Sequence, residues 1–236
     1  MPFSERLTKT DRNGGNYVAL DLVLLKSKLF TSVISDALDS IGIMNQAMRP
    51  FVRPLDDASV MAGFARTGLY AVRSHASPTE NPYEVEIALV DDLRPDDVAI
   101  FACNGPTERI APWGGLLTTA ATCRGAAGCV TDGLARDVRH IRAVGFPVFC
   151  GGIGPIDSKG RGVMVEKDAP VECAGVRVET GDLVFGDVDG VVVVPKAVTE
   201  RVIEAAFRKV EAERQTSEEL SRGVPLADVF ARYGIL

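Results

Sequence analysis

Residues 113 to 137 read W-G-G-L-L-T-T-A-A-T-C-R-G-A-A-G-C-V-T-D-G-L-A-R-D, which predicts two loop-to-helix junctions around a short buried strand. The first junction is the pair Gly114-Gly115, ahead of an apolar run. The second is the segment 132–137, which precedes another apolar run at 138–144. A helix start offers unpaired backbone N–H groups and a partial positive charge. Two such starts facing one cleft would therefore suit a small anion.

The second junction ends in Arg136 and Asp137, two side chains that can carry chemistry. A guanidinium binds a carboxylate or an oxo group, and a carboxylate can hold a divalent metal ion. Plainer interpretations are open at this stage. Asp137 could cap its own helix, Arg136 could pair with a surface carboxylate, and glycine pairs are common in loops.

The length and charge of the chain limit what it can be. At 236 residues it is long enough to bury a substantial core, and a single domain over 1–236 is favoured. Residues 1–20 are expected to form a polar, irregular arm, and residues 197–236 to form C-terminal helices. The formal net charge of −6 argues against a nucleic-acid partner.

The cysteine and histidine content indicates a reduced, cytoplasmic protein. Five cysteines are present without a C-x-x-C pair, so buried free thiols are expected rather than disulfides. Two histidines, His75 and His140, leave little for a zinc site. No signal peptide is recognisable at the N-terminus, and no apolar run approaches the roughly 20 residues of a membrane helix, so no membrane association is expected.

The order of the predicted elements indicates an α/β fold. Helical patterns alternate with apolar strand patterns, and helices would surround a central block of strands in mixed order. This favours a layered α/β domain over an all-β barrel. Helices are predicted at 29–41, at 83–91, from 197 onward and at 226–233, and Thr31 or Ser32 could cap the first of them. Strands are predicted at 61–72, 98–102, 146–150, 163–165, 171–173, 176–178, 183–185 and 191–194.

Other motifs have plainer explanations. The run 151–154, G-G-I-G, lacks the third glycine of a dinucleotide loop, and Pro155 occupies the place where the helix should begin. Asp187 and Asp189 fit the turn of a β-hairpin better than a metal pair. The remaining candidates are interpreted as loop charges that could line a cleft, or as an ordinary histidine: Asp157, Lys159, Arg161 and His140.

Four segments together resemble the RraA-like family, which includes 4-hydroxy-4-methyl-2-oxoglutarate aldolases and the regulator of ribonuclease activity A. They are W-G-G-L-L-T-T-A-A, G-C-V-T-D-G-L-A-R-D, D-S-K-G-R-G and G-D-L-V-F-G-D-V-D-G-V-V-V-V-P, and the resemblance extends over residues 29–195. It implies a layered α-β-β-α fold with a central mixed β block, related to swivelling-domain proteins. It also implies a homotrimer or homohexamer with active sites at subunit boundaries.

The resemblance also implies a ligand set. In the family's aldolases, Mg²⁺ or Mn²⁺ and pyruvate occupy the cleft. Arg136 would bind the substrate oxo group, and Asp137 would be the direct metal ligand. The presence of Asp137 favours the enzyme branch, because the regulator branch lacks this aspartate. Backbone contacts to the pyruvate carboxylate would come from Gly114, Gly115, Leu116 and Leu117.

One position departs from the aldolase pattern G-x-x-x-D, twenty residues, R-D. Counting back from Arg136 places Ala111 at the glycine and Gly115 at the acid, so the acid is missing. In the family's aldolases, that acid helps to organise the metal shell and the water that takes the substrate hydroxyl proton in retro-aldol cleavage. Decarboxylation needs no such base. We therefore expect oxaloacetate decarboxylation to survive better. Another subunit could lend an acid from the C-terminal helix, which offers Glu204, Glu211 and Glu213.

The sequence thus predicts a divalent-metal-dependent, class II pyruvate aldolase-type lyase. It would cleave 4-hydroxy-2-oxo acids of the 4-hydroxy-4-methyl-2-oxoglutarate type and decarboxylate oxaloacetate through a pyruvate enolate. Two alternatives stay open. One is a non-catalytic, protein-binding regulator, since net acidity suits a basic partner. The other is a related metal enzyme that acts on another small 2-oxo acid.

Overall fold

The computed structural model describes residues 8–10, 16–18, 20–73, 81–104 and 108–234. Within these ranges, no helix has both the length and the hydropathy to cross a bilayer. The helices are α1 (Leu22–Lys28), α2 (Thr31–Asp39), α3 (Glu84–Asp91), α4 (Gly115–Cys123), α5 (Val138–Val144), α6 (Thr199–Ser221) and α7 (Leu226–Tyr233). The strands are β1 (Thr8–Thr10), β2 (Asn16–Val18), β3 (Arg53–Pro54), β4 (Met61–Val72), β5 (Asp97–Ala102), β6 (Gly128–Thr131), β7 (Leu134–Ala135), β8 (Val148–Cys150), β9 (Gly152–Ile153), β10 (Gly162–Lys167), β11 (Val171–Cys173), β12 (Val176–Val178), β13 (Leu183–Asp187) and β14 (Gly190–Val194).

Eight strands form the central sheet, in the order β14-β13-β4-β5-β6-β8-β3, with β10 also paired to β4. The inner strands β4, β5, β6 and β8 run parallel, whereas β13, β14, β10 and β3 pair antiparallel with their neighbours. Parallel neighbours require crossover connections, and α3, α4 and α5 supply them in turn. The sheet is therefore mixed, as the element order predicts.

The sheet curls until its two ends approach each other. The Arg53 guanidinium on β3 donates to the carbonyl oxygen of Asp189, in the turn before β14. Ala47, upstream of β3, forms an antiparallel bridge with Val192 of β14. The interior of this nearly closed sheet is apolar, and the hairpin β11–β12 contributes Val171 and other residues to that core.

Helices cover the outside of the sheet in two groups. The helices α1, α2 and α6 pack with β13 and β14 in one apolar cluster. The helices α3, α4 and α5 pack over β5, β6 and β8 in another. The predicted α/β class, with layers of helices around a central mixed β block, is confirmed.

Most predicted elements are present, and the differences are helix α1, the start of α2 and the short strands β3, β7 and β9. The helix α1 was not predicted. The start of α2 is also not capped by the Thr31 or Ser32 side chain. Instead, the Asp187 carboxylate accepts hydrogen bonds from the Thr31 amide at 2.8 Å and from its hydroxyl at 2.6 Å. Because Asp187 also accepts from the Asp189 amide, its role is turn and cap formation rather than metal binding.

Two predicted segments are only partly described. The N-terminal arm at 1–20 was expected to be irregular, but it contains the antiparallel pair β1–β2, whose backbone hydrogen bonds join its two halves. Much of the rest of the arm lies outside the described residues. The predicted loop at 74–82 falls largely outside them as well. The glycine-rich loop after β8 contains β9, which pairs in parallel with β7.

The parallel strands bring three helix starts to one edge of the sheet. In a β-α-β crossover, the helix begins beside the carboxyl end of the strand before it. The helices α3, α4 and α5 follow β4, β5 and β6, so all three begin at the same edge. Ligands of open α/β sheets bind at this edge, and both junctions of the 113–137 stretch lie there.

Trp113 anchors the first junction in the core. Its side chain is fully buried, with its ring stacked on Phe146 at 5.9 Å and edge-on to Phe101 at 5.2 Å between centroids. Its indole N–H donates to the Thr118 hydroxyl at 2.9 Å. Since Thr118 lies on the first turns of α4, this bond fixes the helix start relative to the core.

Replacing Thr118 with valine should leave the buried indole N–H without an acceptor. We expect a loss of about 1–3 kcal/mol in the free energy of unfolding, measured by urea denaturation. Thr119→Val is the matched control, because Thr119 is exposed on the same helix. Equal losses in the two variants would contradict the anchoring role of the indole bond.

Candidate active site

The two junctions lie against each other, as the anion-site prediction requires. A methyl group added at Gly114 would lie 3.0 Å from Arg136 Cγ and 3.0 Å from Asp137 Oδ2. One added at Gly115 would lie 3.3 Å from Asp137 Cβ and 3.2 Å from His140 Cδ2. The backbone of the diglycine therefore contacts the side chains of the Arg-Asp pair directly, and a side chain at either glycine would crowd them.

Asp137 does not cap its own helix. It occupies the N-cap position of α5 in the left-handed region, with φ of 58°, and its side chain accepts no hydrogen bond from α5. Its Oδ2 instead accepts from the Gly115 amide at 3.0 Å, at the start of α4. Among the described residues, this amide is the one donor recorded to that carboxylate. The bond ties the two helix starts together.

The next two amides of α4 remain available. The first N–H groups of a helix have no partner within it, and the first backbone bond here runs from Thr118 to Gly114 at 3.0 Å. Since Asp137 takes the Gly115 amide, those of Leu116 and Leu117 can receive an anion. Leu116 itself is 87% exposed, so the helix start is open.

Arg136 is held by its backbone and directed by a carboxylate. Its amide donates to the Trp113 carbonyl at 2.9 Å. Its guanidinium lies 3.7 Å from Asp157, and both side chains are about one-third exposed, at 37% and 36%. Asp157 also accepts from the Tyr83 hydroxyl at 2.9 Å. Tyr83 immediately precedes α3, so residues at the starts of α3, α4 and α5 form one cluster of contacts.

The charges around Asp157 keep it ionised. Burial acts to raise the pKa of Asp157, but the hydrogen bonds from Tyr83 and backbone amides, together with the Arg136 charge, lower it overall. Burial and the bond to Asp157 raise the pKa of Tyr83 to about 12. The pair is therefore a neutral phenol donating to a carboxylate.

A second acid, Glu86, lies on the first turn of α3, three residues after Tyr83. Its side chain is buried, and it accepts a hydrogen bond from the Tyr70 hydroxyl near the end of β4. Burial raises the pKa of Glu86 to about 7, and the negative charge of Asp157 contributes to this rise. The hydrogen bond from Tyr70 and the positive charge of Arg136 act to lower the pKa. Glu86 is thus close enough to Arg136 and Asp157 to feel both charges.

Sequence reasoning did not single out Tyr70, Tyr83 or Glu86. Their contacts join segments far apart in the chain, such as the 74 residues between Tyr83 and Asp157. One available signal was the spacing of Tyr83 and Glu86, which places both on one face of the predicted helix. Asp157, interpreted as a loop charge that could line a cleft, does face Arg136.

The other predicted candidates are distributed as follows. Lys159 and Arg161 contact Asp157 through a backbone amide and a guanidinium, within the loop. The exposed His140 shares a hydrogen bond with Thr119 at 3.1 Å, beside the site. Within one chain, two of the C-terminal acids are engaged on α6: Glu211 by Arg214, and Glu213 by Lys209.

The cysteines fit the expectation of free thiols. All five are free, and Cys123 alone among them is exposed. Burial raises the pKa of the Cys103, Cys129, Cys150 and Cys173 thiols, so these groups stay protonated and act as apolar core residues.

The site offers few protein ligands for a hard cation. In the described part of the chain, no group of three or more His, Cys, Asp or Glu side chains is placed to hold a metal ion. Asp137 offers a single exposed carboxylate. Mg²⁺ is often bound through one or two carboxylates while it keeps several waters, and Mn²⁺ shares its preference for oxygen. The site therefore fits these ions once water and substrate oxygens complete the shell.

Comparison with known proteins assigns the family. The chain belongs to the RraA-like family: the Aldolase/RraA family model matches residues 31–193. It is 32% identical over 205 residues to a protein of Halalkalibacterium halodurans, across 87% of this chain and 91% of that protein. That relative is named, provisionally, a 4-hydroxy-4-methyl-2-oxoglutarate aldolase.

Solved structures agree with the assignment. An uncharacterized protein from Pseudomonas syringae pv. tomato superposes with a TM-score of 0.77 and 26% identity, over 90% of this chain and 99% of that one. A Streptomyces coelicolor protein gives a TM-score of 0.71 and 26% identity, over 87% and 98% of the two chains. It is described as an unusual member of the RNase ES inhibitor RraA protein family.

Glu86 should make stability depend on pH. Its folded-state pKa of about 7 exceeds the ordinary value of 4.5. The stability contributed by the neutral carboxyl is therefore fully present below pH 4.5 and is lost as the pH rises through about 7. We compare the unfolding free energy of Glu86→Gln with that of wild type at each pH. This difference should favour the variant more at pH 8.5 than at pH 4.5, by up to about 3 kcal/mol. Urea denaturation at both pH values measures the difference, and a pH-independent difference would contradict the burial of this carboxyl.

Proposed function

We propose that this protein is a divalent-metal-dependent C–C lyase that cleaves small 2-oxo acids through a pyruvate enolate. The observation that carries the proposal is the contact of the diglycine helix start with Arg136 and Asp137 at one edge of the sheet. The family assignment and the name of the Halalkalibacterium halodurans relative support the same chemistry. The proposed substrates are oxaloacetate and 4-hydroxy-2-oxo acids of the 4-hydroxy-4-methyl-2-oxoglutarate type.

The chain supplies a binding site for the 2-oxo acid end of the substrate. The Leu116 and Leu117 amides at the start of α4 would hold the carboxylate, where the helix dipole favours negative charge. The Arg136 guanidinium would donate to the 2-oxo group and stabilise negative charge as it develops on that oxygen. Asp157 and Tyr83 keep the guanidinium aimed at the cleft.

Asp137 is the proposed metal ligand, and Mg²⁺ or Mn²⁺ is the proposed ion. A bound ion would act as a Lewis acid towards the 2-oxo and carboxylate oxygens and would stabilise enolate charge. The hydrogen bond from the Gly115 amide would hold one oxygen of Asp137 and leave the other for the ion. No lysine is required, so the mechanism differs from that of Schiff-base aldolases.

Both reactions produce the same enolate but differ in their need for a base. Decarboxylation loses CO₂ directly, whereas retro-aldol cleavage must also remove a hydroxyl proton. Arg136, Asp137 and the start of α4 are therefore sufficient for the first reaction. The second requires a further group, since Gly115 offers no side chain.

The alternative function is a protein-binding regulator without catalysis. The description of the Streptomyces coelicolor relative as an RNase ES inhibitor family member favours it, and an acidic chain suits a basic partner. By family resemblance we also propose a homotrimer or homohexamer, which either function could use. The two functions differ in whether the chain binds metal and turns over 2-oxo acids.

Oxaloacetate decarboxylation with and without Mg²⁺ or Mn²⁺ tests the proposal. Wild-type activity should vanish with a chelator and return with metal. Arg136→Ala should lower kcat/KM by about 100-fold or more, because a donor to the oxyanion is lost. Asp137→Ala should weaken metal affinity as well as activity. Arg208→Ala, an exposed site on α6, is the control and should match wild type. A wild-type protein with neither metal affinity nor activity on either substrate would favour the regulator.

A further inference from the structure

Gly115 stands where the aldolase pattern has an acid, so retro-aldol cleavage needs another group to take the substrate hydroxyl proton. We propose, building on the lyase function above, that Glu86 is the general base of aldol cleavage. It would act from the first turn of α3.

The start of α3 is tied directly to Arg136. Tyr83 stands immediately before the helix, and its hydroxyl donates to Asp157 at 2.9 Å. Asp157 in turn lies 3.7 Å from the Arg136 guanidinium. Glu86 comes three residues after Tyr83 and so lies on the same face of the helix. This chain of contacts links the start of α3 to Arg136, and the charges of Asp157 and Arg136 both act on the Glu86 carboxyl.

Tyr70 holds the Glu86 carboxyl in one orientation. The Tyr70 hydroxyl donates to Glu86 Oε2, which leaves the second oxygen, Oε1, to accept a proton. The Tyr70 ring is buried and packs on Phe101, with centroids 5.9 Å apart. Burial and the neighbouring Glu86 charge raise the pKa of Tyr70 well above its usual range, so the hydroxyl remains a donor. A general base needs such fixed placement.

The pKa values of Asp157 and Glu86 are shifted in opposite directions. Hydrogen bonds and Arg136 keep the pKa of Asp157 low, whereas burial raises that of Glu86 to about 7. Pairs of acids whose environments separate their pKa values in this way divide acid and base roles between them. Within the described ranges, four charged or titratable groups act on Glu86: Tyr70 from β4, Tyr83 just before α3, Asp157 from the loop after β9 and Arg136 from the loop after β7.

Glu86 alone can carry out both proton transfers of aldol cleavage. Its carboxylate takes the proton of the C4 hydroxyl, the C4–O bond becomes a carbonyl, and the C3–C4 bond breaks. The electron pair of that bond passes into the enolate of pyruvate. Glu86 then returns the same proton to C3, which yields pyruvate and regenerates the carboxylate. In decarboxylation of oxaloacetate, CO₂ leaves without removal of a hydroxyl proton, and the enolate takes its C3 proton from water, so neither transfer requires Glu86.

The plain alternative is that Glu86 is a structural residue, bonded to Tyr70 only to satisfy a buried hydroxyl. A structural role would lower aldol cleavage and decarboxylation together, through loss of folding or of site geometry. Loss of a base would slow only the reactions in which a proton is removed from the substrate, which are aldol cleavage and exchange of the pyruvate methyl protons. The two roles therefore separate when several reactions are compared on one variant.

The experiment measures three reactions of the metal-loaded protein: cleavage of 4-hydroxy-4-methyl-2-oxoglutarate, decarboxylation of oxaloacetate, and exchange of the pyruvate methyl protons in D₂O, followed by NMR. The variant is Glu86→Gln, which keeps an acceptor for Tyr70 but cannot take a proton. The control is Glu84→Gln, an equal change of charge at an exposed position on the same helix. Circular dichroism and thermal unfolding confirm that each variant is folded.

We expect Glu86→Gln to lower aldol cleavage and methyl exchange by about 100-fold or more, while oxaloacetate decarboxylation stays within about threefold of wild type. The wild-type kcat/KM for aldol cleavage should rise with pH through about 7, and this rise should be absent in the variant. Glu84→Gln should match wild type throughout.

Two results would overturn the role of Glu86 while leaving the lyase intact: full aldol cleavage in the folded Glu86→Gln variant, or an equal loss of all three reactions. Failure of the lyase itself gives a different result, because wild type would then be inactive on both acids with either metal. An active Glu86→Gln variant combined with an active wild type would direct the search to an acid from another subunit.

Discussion

The hydrogen bond from the Gly115 amide to the Asp137 carboxylate is the interaction on which the candidate site depends. It joins the starts of α4 and α5, which the chain separates by 22 residues. A methyl group at either glycine would lie 3.0–3.4 Å from the Arg136 or Asp137 side chains, a tight contact that those side chains would have to relieve by shifting. The bond also fixes one oxygen of Asp137, and so it determines how the other is presented to the cleft.

The parallel strands explain why this contact can form. Because β4, β5 and β6 run in one direction, the helices that follow them all begin at one edge. This edge therefore carries exposed backbone N–H groups, an arginine and several acids, and no long loop is needed to bring them together. The buried Trp113 at the same edge provides a rigid base for the helix start.

Periodicity and apolar runs predict most of the elements, since a buried strand such as β5 is apolar from Val98 onward and α6 has a clear apolar stripe. Capping was less predictable. The cap of α2 comes from Asp187, 156 residues away, rather than from Thr31 beside it. Local sequence offers a plausible cap, but tertiary packing supplies a better-placed carboxylate, and nothing in a local pattern reveals that choice.

The sequence by itself determined the diglycine junction, the Arg136-Asp137 pair and the resemblance to the RraA-like family, because these are short, local patterns of residue type. Tertiary structure alone decided that Asp137 binds the start of another helix instead of capping its own. It also decided that Glu86 is buried beside Tyr70, and that Asp157 lies between Tyr83 and Arg136. Burial and long-range hydrogen bonds set the protonation of a carboxyl group, and both depend on segments that only folding brings together.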